Sequence, residues 1–264
     1  MNESFTYLAE YLSALHTREL GRAPELFDTL DSTNAYLKRE HTAGRAPAGA
    51  VAIALRQTAG RGRLGRTWES IPGAGLYFSL LAPRLPMERL SLVPVAVGVA
   101  AAAALQEIAE VTAGIKWPND LIVSDRKLSG ILCEGVLGRA VCGIGVNLLQ
   151  DAAFFVRAEL PHGTSLLLET GRVVSAPRLA AEIVNRLEPW LDELSAGKID
   201  ALIDRFRENC VSIGREVRAI SPTGELAGIA VDVDAEGRLV IEHADGCTAV
   251  SAGEVQLRTV RGYL

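Results

Sequence analysis

A glycine- and arginine-rich segment at residues 60–67, GRGRLGRT, limits the folds open to this chain. Its glycines match the G-x-G-x-x-G pattern of dinucleotide-binding folds, and the segment matches the P-loop except that Arg66 replaces the lysine. Both motifs require a helix directly after the glycines, because the phosphate binds at the N-terminus of that helix. The residues after Thr67, WESIPG, are instead typical of a turn that leads into a strand. The sequence therefore argues against both nucleotide-binding folds.

The same segment is still suited to bind an anion. Glycines allow close approach of the backbone, and Arg61, Arg63 and Arg66 offer planar cations that match carboxylate and phosphate groups. A solvated basic loop, or a loop that contacts RNA phosphates, fits this composition as well. Apolar stretches at residues 50–55 and 75–82 flank the segment. They favour a loop that two strands hold in place.

Charge and cysteine usage exclude several classes of protein. The 264 residues include 27 basic and 32 acidic side chains, and the resulting net charge of −5 argues against a general nucleic-acid binder. The four cysteines and four histidines show no zinc-type spacing, so a structural metal or a disulfide framework is not expected. No signal peptide is recognisable, and the longest apolar stretch, residues 92–105, is too short for a membrane helix. We therefore expect a cytoplasmic protein with a buried apolar helix.

Hydrophobic periodicity predicts an α/β chain in two parts. The predicted helices cover residues 3–17, 33–44, 88–110, 176–195 and 198–208, and the predicted strands cover residues 50–55, 75–82, 115–123, 130–137 and 140–148. From Glu216 onward, short alternating runs are separated by turns at 222–224, 234–237 and 245–246, which predicts a small β-barrel. We expect one domain over residues 1–208, with an N-terminal helix extension over 1–24, and a second domain over 209–264.

A second polar feature is the sequence KWPND at residues 116–120, followed by RKLSGI at 126–131. Lys116 and Lys127 are two of only four lysines in the chain. Asn119 and Asp120 interrupt an apolar stretch, and such polar groups are costly to bury without partners. Taken alone, the pattern fits a surface turn and a binding site equally well.

Several blocks together resemble the bacterial biotin protein ligases, and they occur in the order found in that family. The blocks are DSTN (31–34), QTAGRGRLGR (57–66), LYFS (76–79), KWPND (116–120), RKLSGIL (126–132), GIGVN (143–147), TSL (164–166) and GEVQLR (253–258). The ordered set is far more specific than any one block.

The resemblance implies a fold and a reaction. The fold is a mixed central sheet flanked by helices, similar to class II aminoacyl-tRNA synthetases, with a small SH3-like C-terminal barrel. In the reaction, the carboxylate of biotin attacks the α-phosphate of ATP in the presence of Mg²⁺, giving biotinyl-5′-AMP and pyrophosphate. A lysine of the biotin carboxyl carrier protein of acetyl-CoA carboxylase then attacks the acyl carbon and releases AMP.

The resemblance also suggests partners. Bifunctional members carry an N-terminal DNA-binding domain, whereas this chain has a single predicted helix at that end. We therefore expect a monofunctional ligase that does not bind DNA. A homodimer is compatible with the resemblance, and the sequence does not decide the oligomeric state.

The resemblance assigns roles to individual residues. Lys127 and Arg63 contact the carboxylate and the phosphate and are the expected catalytic cations. The expected biotin-binding residues are Ser32, Thr33, Asn34, Gln57, Gly60, Arg61, Gly62, Arg63 and Lys127. The expected nucleotide-binding residues are Arg63, Arg66, Trp68, Asn119, Asp120 and Asn147. Helix capping is an alternative role for Ser32, and core packing is an alternative role for Trp68.

Further expectations concern the glycine–arginine loop and the C-terminal domain. We expect residues 60–67 to be disordered without ligand and to fold over biotin or the adenylate, because closure would keep water from a reactive mixed anhydride. Glu254 and Arg258 match family positions that face the active site. For both residues, a role in binding ATP or the carrier and a purely structural role stay open.

Two other functions compete with biotin ligation. One is a lipoate or octanoate ligase or transferase of the same fold, against which the arginine-rich loop and the KWPND block argue. The other is a non-enzymatic protein that uses the basic loop to bind RNA or another anion. Biotin-dependent exchange of pyrophosphate into ATP would distinguish all three.

Overall fold

The computed structural model describes residues 3–221, 224–252 and 256–259. The helices in this part of the chain are α1 (Glu3–Ala14), α2 (Thr33–Thr42), α3 (Val93–Ala109), α4 (Ala152–Arg157), α5 (Leu166–Thr170), α6 (Ala176–Ser195) and α7 (Asp200–Asn209). The strands are β1 (Pro24–Phe27), β2 (Val51–Ala54), β3 (Gly75–Leu81), β4 (Gly114–Lys116), β5 (Asp120–Val123), β6 (Arg126–Val136), β7 (Arg139–Asn147), β8 (Glu216–Ser221), β9 (Gly224–Val233), β10 (Leu239–His243), β11 (Gly246–Val250) and β12 (Gln256–Thr259).

The strands form two sheets. The larger has seven strands in the order β1-β2-β3-β7-β6-β5-β4. Only the β1–β2 pair is parallel among its described pairings, so the sheet is mixed, as predicted. The smaller sheet has five antiparallel strands in the order β11-β10-β9-β8-β12. The predicted mixed α/β fold with a small C-terminal β-domain is therefore confirmed. Two residues of the predicted turn at 222–224 lie outside the described residues.

The alanine-rich helix α3 lies in the main hydrophobic core and packs against α6. By length and composition alone, the segment Met87–Ala109 could cross a membrane. However, 72% of its most apolar stretch of 18 residues is buried inside the protein. The helix is thus the buried apolar helix that the sequence predicts. Its first part was expected to be α-helical from residue 88, yet Met87–Leu92 forms a 3₁₀ helix. The α-helix begins at Val93, and the fixed φ angle of Pro94 suits its first turn.

The prediction of one strand over residues 115–123 is wrong. The chain forms β4 and β5, which pair antiparallel with Lys116 opposite Asp120. The intervening turn contains a cis Trp117–Pro118 peptide bond, and the Asn119 backbone N–H donates to the Lys116 carbonyl over 3.1 Å. Proline cannot donate to a strand ladder, so the ladder stops there. The next strand also starts earlier than predicted, at Arg126 instead of residue 130.

Several short elements were not predicted. These are β1, α4 and α5, which have four, six and five residues. Segments of this length contain too few repeats for a helical or strand period to stand out. The first helix, predicted to reach residue 17, ends at Ala14. The chain then runs irregularly along α6 before it enters the large sheet.

A buried carboxylate anchors this irregular N-terminal stretch. Glu188, on α6, accepts the backbone N–H groups of Arg18, Glu19 and Leu20 over 2.8, 2.9 and 3.0 Å. Burial alone would raise the pKa of Glu188, but the three backbone donors and the nearby Arg18 guanidinium lower it below the ordinary value for glutamate. The ionised carboxylate therefore stabilises the attachment of residues 18–20 to the core.

Replacing this charge should destabilise the fold. We expect Glu188→Gln to reduce the free energy of unfolding at pH 7 by about 1–3 kcal/mol, because charge-assisted hydrogen bonds are lost. Since the pKa in the folded state is lowered, the stabilisation is present above the unfolded-state pKa of about 4.3. It is lost as the pH falls through the folded-state pKa, so the difference between the two proteins should shrink in acid.

Urea denaturation at several pH values measures this difference. Glu208→Gln is the control, because the Glu208 side chain is 60% exposed and its ion pair with Arg205 contributes little. The anchoring role is rejected if Glu188→Gln is no less stable than Glu208→Gln.

Candidate active site

A cleft of about 460 Å³ lies against strands β6 and β7, between the glycine–arginine loop and the segment 154–163. All but one of the predicted site residues line it. They are Ser32, Thr33, Asn34, Gln57, Arg61, Gly62, Arg63, Arg66, Trp68, Asn119, Asp120, Lys127 and Asn147. The exception, Gly60, lies at the base of the loop, where its carbonyl accepts the Trp68 backbone N–H over 3.0 Å. The structure thus brings together residues that are up to 115 positions apart in the sequence.

An ion pair lies in this cleft. The Lys127 Nζ atom is 2.7 Å from Asp120 Oδ1, and the two side chains are 28% and 15% exposed. Asn119 Nδ2 also donates to Asp120 Oδ1 over 3.2 Å, and to the Ile131 carbonyl over 3.0 Å. The lysine is therefore held by a carboxylate that is itself fixed by its neighbour.

A β-bulge directs Lys127 into the cleft. Asp120 pairs with Gly130 and Ile122 pairs with Lys127, so β6 contains one more residue than β5 over this stretch. An extra residue changes the direction of the side chains that follow it. Leu128 is fully buried in the core, whereas the adjacent Lys127 lines the cleft.

Arg63 is a second cation in the cleft. Its Nη1 donates to Asn119 Oδ1 over 3.1 Å, and its Nη2 donates to the carbonyl of Ala252, which follows β11. Burial and the charge of Arg66 lower the pKa of Arg63, while Asp120 opposes them. A guanidinium stays charged in spite of such shifts, so Arg63 is a partly desolvated cation. Desolvation strengthens its attraction for any anion that enters the cleft.

Trp68 lies directly on the sheet, above two glycines. A Cβ atom at Gly145 would lie 2.5 Å from the indole, and one at Gly130 would lie 2.7 Å from it. The indole can therefore approach only because both strands lack a side chain at these positions. Lys127 Nζ is 5.5 Å from the centre of the ring, within the range of a cation–π interaction. The indole N–H is buried without a partner, which leaves a donor in the wall of the cleft.

A chain of polar side chains occupies the other end of the cleft. Gln57 Oε1 accepts from the backbone N–H and the hydroxyl of Thr33 over 2.9 and 3.2 Å. The Ser79 hydroxyl is 2.7 Å from Thr33 Oγ1 and 2.6 Å from Asn34 Oδ1. Asn34 Nδ2 donates to Glu134 Oε2 over 2.8 Å. These groups are held in fixed orientations before any ligand arrives.

Charges near this polar chain balance one another. Glu134 pairs with Lys38 over 2.8 Å. Burial raises the pKa of Glu134, but Lys38, Asn34 and the positive charge of Arg61 together lower it below the ordinary value. The positive charge of Arg61 therefore favours the ionised form of Glu134.

The glycine–arginine loop has a defined backbone conformation. Arg61 pairs with Thr67 in an isolated antiparallel bridge, and the Gly62 N–H donates to the Arg66 carbonyl over 2.7 Å. Arg63–Gly65 forms one turn of 3₁₀ helix, with no α-helix after the glycines. The sequence-based exclusion of the P-loop and dinucleotide motifs is therefore confirmed. Closure of this loop around a ligand stays a prediction.

Known protein families and relatives match this chain over most of its length. The model of the biotin/lipoate A/B protein ligase family matches residues 26–151, and that of the biotin protein ligase C terminal domain matches residues 212–258. The biotin–[acetyl-CoA-carboxylase] ligase of Mycobacterium tuberculosis (strain H37Rv) is 33% identical over 233 residues, with 85% of each chain covered. The bifunctional ligase/repressor BirA of Escherichia coli (strain K12) is 30% identical over 264 residues, which cover 96% of this chain and 81% of the relative.

The chain belongs to the biotin protein ligase family. A solved structure agrees: the biotin protein ligase from Aquifex aeolicus, in complex with biotin and ATP, has a TM-score of 0.80 and 29% identity, over 90% of this chain and 99% of that one. The chain is accordingly an ATP-dependent ligase of biotin to a carboxylase, as its sequence blocks predict.

Some residues of the cleft wall, and some that support it from behind, were not predicted for this biotin protein ligase. Ser79 was noted within a family block but not given a role, and Glu134 and the segment 154–163 were not considered. Ser79 had a detectable signal, because it is a hydroxyl residue within an apolar strand. Glu134 had none, since it contacts Asn34 across a hundred positions of sequence. Glu254 lies outside the described residues, and of Arg258 only the backbone in β12 is described.

Adding a methyl group to the strand beneath Trp68 should lower both the stability of the protein and its affinity for ligand. We expect Gly145→Ala to displace the indole, to destabilise the protein by about 1–3 kcal/mol and to weaken ATP binding by about tenfold or more. Calorimetric titration with ATP and a thermal melt measure the two effects.

Gly135→Ala is the matched control for this substitution. It lies on the adjacent strand β6, and a Cβ atom there would meet nothing within 4 Å. Equal ATP affinity in the two variants would contradict the expected contact between Trp68 and the nucleotide.

Proposed function

We propose that this ligase first joins biotin to AMP in the described cleft and then transfers biotin to a lysine of a biotin carboxyl carrier protein. The observation that carries the proposal is the convergence of Lys127 and Arg63 beside Asp120 in a partly desolvated cleft. In the first step, a carboxylate oxygen of biotin attacks the α-phosphorus of ATP, and pyrophosphate leaves. Two anions must meet, so fixed cations lower the barrier.

Lys127 and Arg63 have complementary roles in this mechanism. Lys127 is a compact cation on a flexible stem, and it can move from Asp120 to the oxygen that carries the developing charge. Arg63 is planar and held by Asn119 and the Ala252 carbonyl, so it can align two oxygens at once. Asp120 keeps Lys127 in position until substrate replaces it as the partner.

The polar end of the cleft would bind the ureido ring of biotin. That ring has one carbonyl and two N–H groups, which need short polar partners in an otherwise apolar pocket. Ser32, Thr33, Asn34 and Gln57 supply such partners, and Arg61, Gly62 and Gly60 belong to the loop beside them. Ser32 also caps α2 by accepting the Ala35 N–H, so its capping and binding roles are compatible.

The nucleotide would lie on the other side of Lys127. Arg66, Asn119 and Asp120 face the cleft there, and Trp68 offers an aromatic surface. Asn147 also lines the cleft, and its amide is held in place because it donates to the Thr164 carbonyl and accepts from Gln150.

The carboxylates of the cleft are suited to a magnesium ion that enters bound to the phosphates of ATP. The described residues contain no cluster of three metal-binding side chains, and magnesium is commonly held by one or two carboxylates plus phosphate oxygens. Asp120, which lies beside Lys127 in the cleft, is the carboxylate that we propose for this purpose. When bound, the ion would neutralise charge on the phosphates.

The second step needs the carrier lysine to reach the acyl carbon with its amine uncharged; AMP then leaves. We place catalysis in residues 1–208 and a supporting domain in 209–264, a division consistent with the two matched family models. Ligase activity without DNA binding and a cytoplasmic location also stay predictions for this chain.

Biotin-dependent exchange of labelled pyrophosphate into ATP tests the first step. We expect exchange with biotin and none with lipoate or octanoate. Lipoate-dependent exchange would favour the related lipoate ligases, and no exchange by folded protein would reject the proposal.

Removing the positive charge of Lys127 should abolish most of the biotin-dependent pyrophosphate exchange. We expect Lys127→Ala to lower its rate by about 100- to 1,000-fold, the usual effect of losing one group that stabilises transition-state charge. Lys198→Ala is the control, because Lys198 is exposed and does not line the cleft. Exchange at the wild-type rate in Lys127→Ala would remove Lys127 from the mechanism.

The loop prediction can be tested by limited trypsin digestion. We expect biotin with ATP to slow cleavage after Arg61, Arg63 and Arg66, because a loop that is closed over its ligand cannot enter the active site of trypsin. Cleavage after Arg84, which is exposed and outside the cleft, serves as the internal reference. Unchanged cleavage of the loop relative to Arg84 would contradict closure.

A further inference from the structure

A buried carboxylate outside the cleft joins the residues just before Lys127 to a second segment that pairs with the backbone of Lys127. Glu169, on α5, has a side chain that is only 7% exposed. It accepts from Arg126 Nη2 over 2.8 Å, from the Ser124 hydroxyl over 2.9 Å and from the Thr164 hydroxyl over 2.5 Å. Ser124 lies in the β5–β6 turn, Arg126 is the first residue of β6 and precedes Lys127, and Thr164 belongs to the segment that leads into α5.

That segment also holds the backbone of Lys127. The Lys127 N–H donates to the His162 carbonyl over 2.6 Å, and the Thr164 N–H donates to the Lys127 carbonyl over 2.9 Å. Lys127 and Gly163 thereby form an isolated parallel bridge. The Thr164 carbonyl further accepts from Asn147, a residue of the cleft wall.

We propose that Glu169 is a positioning residue for the adenylation step. It fixes the β5–β6 turn against residues 162–164, and so it sets where the β-bulge directs the Lys127 ammonium group. Glu169 does not line the cleft, so its effect must pass through Lys127. The proposal rests on the role given to Lys127 under the proposed function.

The chemistry of Glu169 fits this task. An ionised carboxylate can accept several hydrogen bonds, and those from Arg126 and the two hydroxyls are charge-assisted. A glutamine at this position would present an N–H₂ group towards donors. The turn and the segment would then separate, and a misplacement of about 1 Å at a reacting centre can reduce the rate by about 100-fold.

The experiment compares Glu169→Gln with Glu188→Gln. Both variants remove the charge of a buried carboxylate that accepts three hydrogen bonds, but Glu188 lies away from the cleft. We expect Glu169→Gln to lower the kcat of biotin-dependent pyrophosphate exchange by about 10- to 100-fold. Glu188→Gln should keep the wild-type kcat at a temperature where both variants are folded.

A double substitution separates positioning from general destabilisation. If Glu169 acts through Lys127, adding Glu169→Gln to Lys127→Ala should lower the remaining rate no further. The proposal is overturned if the two effects multiply, or if Glu169→Gln and Glu188→Gln exchange pyrophosphate at equal rates. A Lys127→Ala protein of full activity would instead reject the role of Lys127 itself, which is a different result.

Thr164 provides a second pair of variants in case Glu169→Gln does not fold. Thr164→Ser keeps the hydroxyl that donates to Glu169, whereas Thr164→Val removes it. We expect the serine variant to keep most of the exchange rate and the valine variant to lose about tenfold or more. Equal rates in the two folded variants would overturn the proposal.

Discussion

The ion pair between Lys127 and Asp120 is the interaction on which the organisation of the cleft depends. A reaction between a carboxylate and a phosphate requires several cations close together, and such a group is unfavourable while no anion is bound. Asp120 relieves this repulsion for Lys127, and Asn119 connects the same carboxylate to Arg63. The site therefore keeps its positive charges inside a partly desolvated cleft without first binding substrate.

The opposite end of the cleft is organised by neutral hydrogen bonds. Thr33, Asn34, Gln57 and Ser79 orient one another, and a single ion pair, Lys38–Glu134, supports them from behind. Partners that are already oriented lose little conformational freedom when they bind a ligand. Under the proposed function, the cleft would thus separate recognition of a neutral ring from the handling of charge, with Trp68 between the two regions.

Much of the fold and most of the cleft were predictable from the sequence. Long apolar or periodic segments, such as α3 and α6, and the five short strands of the C-terminal sheet carry strong local patterns. The polar residues of the cleft were recognisable because ordered blocks resembled a known family. In contrast, the break between β4 and β5 and the bulge at Lys127 depend on pairing between strands, which a linear pattern does not record. Glu169 is similar, because Ser124 and Arg126 lie 45 and 43 positions before it and reach it only in the folded chain.

Trp117 connects the large sheet to the small C-terminal sheet through a hydrogen bond to the backbone of a turn in the small sheet. Its indole N–H donates to the Gly237 carbonyl over 3.0 Å, just as Arg63 donates to the Ala252 carbonyl. Both bonds use main-chain carbonyls, but the turn that presents the first one needs a glycine, because Gly237 has a φ of +76° and a Cβ atom there would lie 3.1 Å from Leu92 and Val95. Substitutions on the exposed face of the small sheet are therefore compatible with these bonds, provided that the turn length and Gly237 are kept. An insertion of one residue near position 237 would be more disruptive than many substitutions on the outer face of the small sheet.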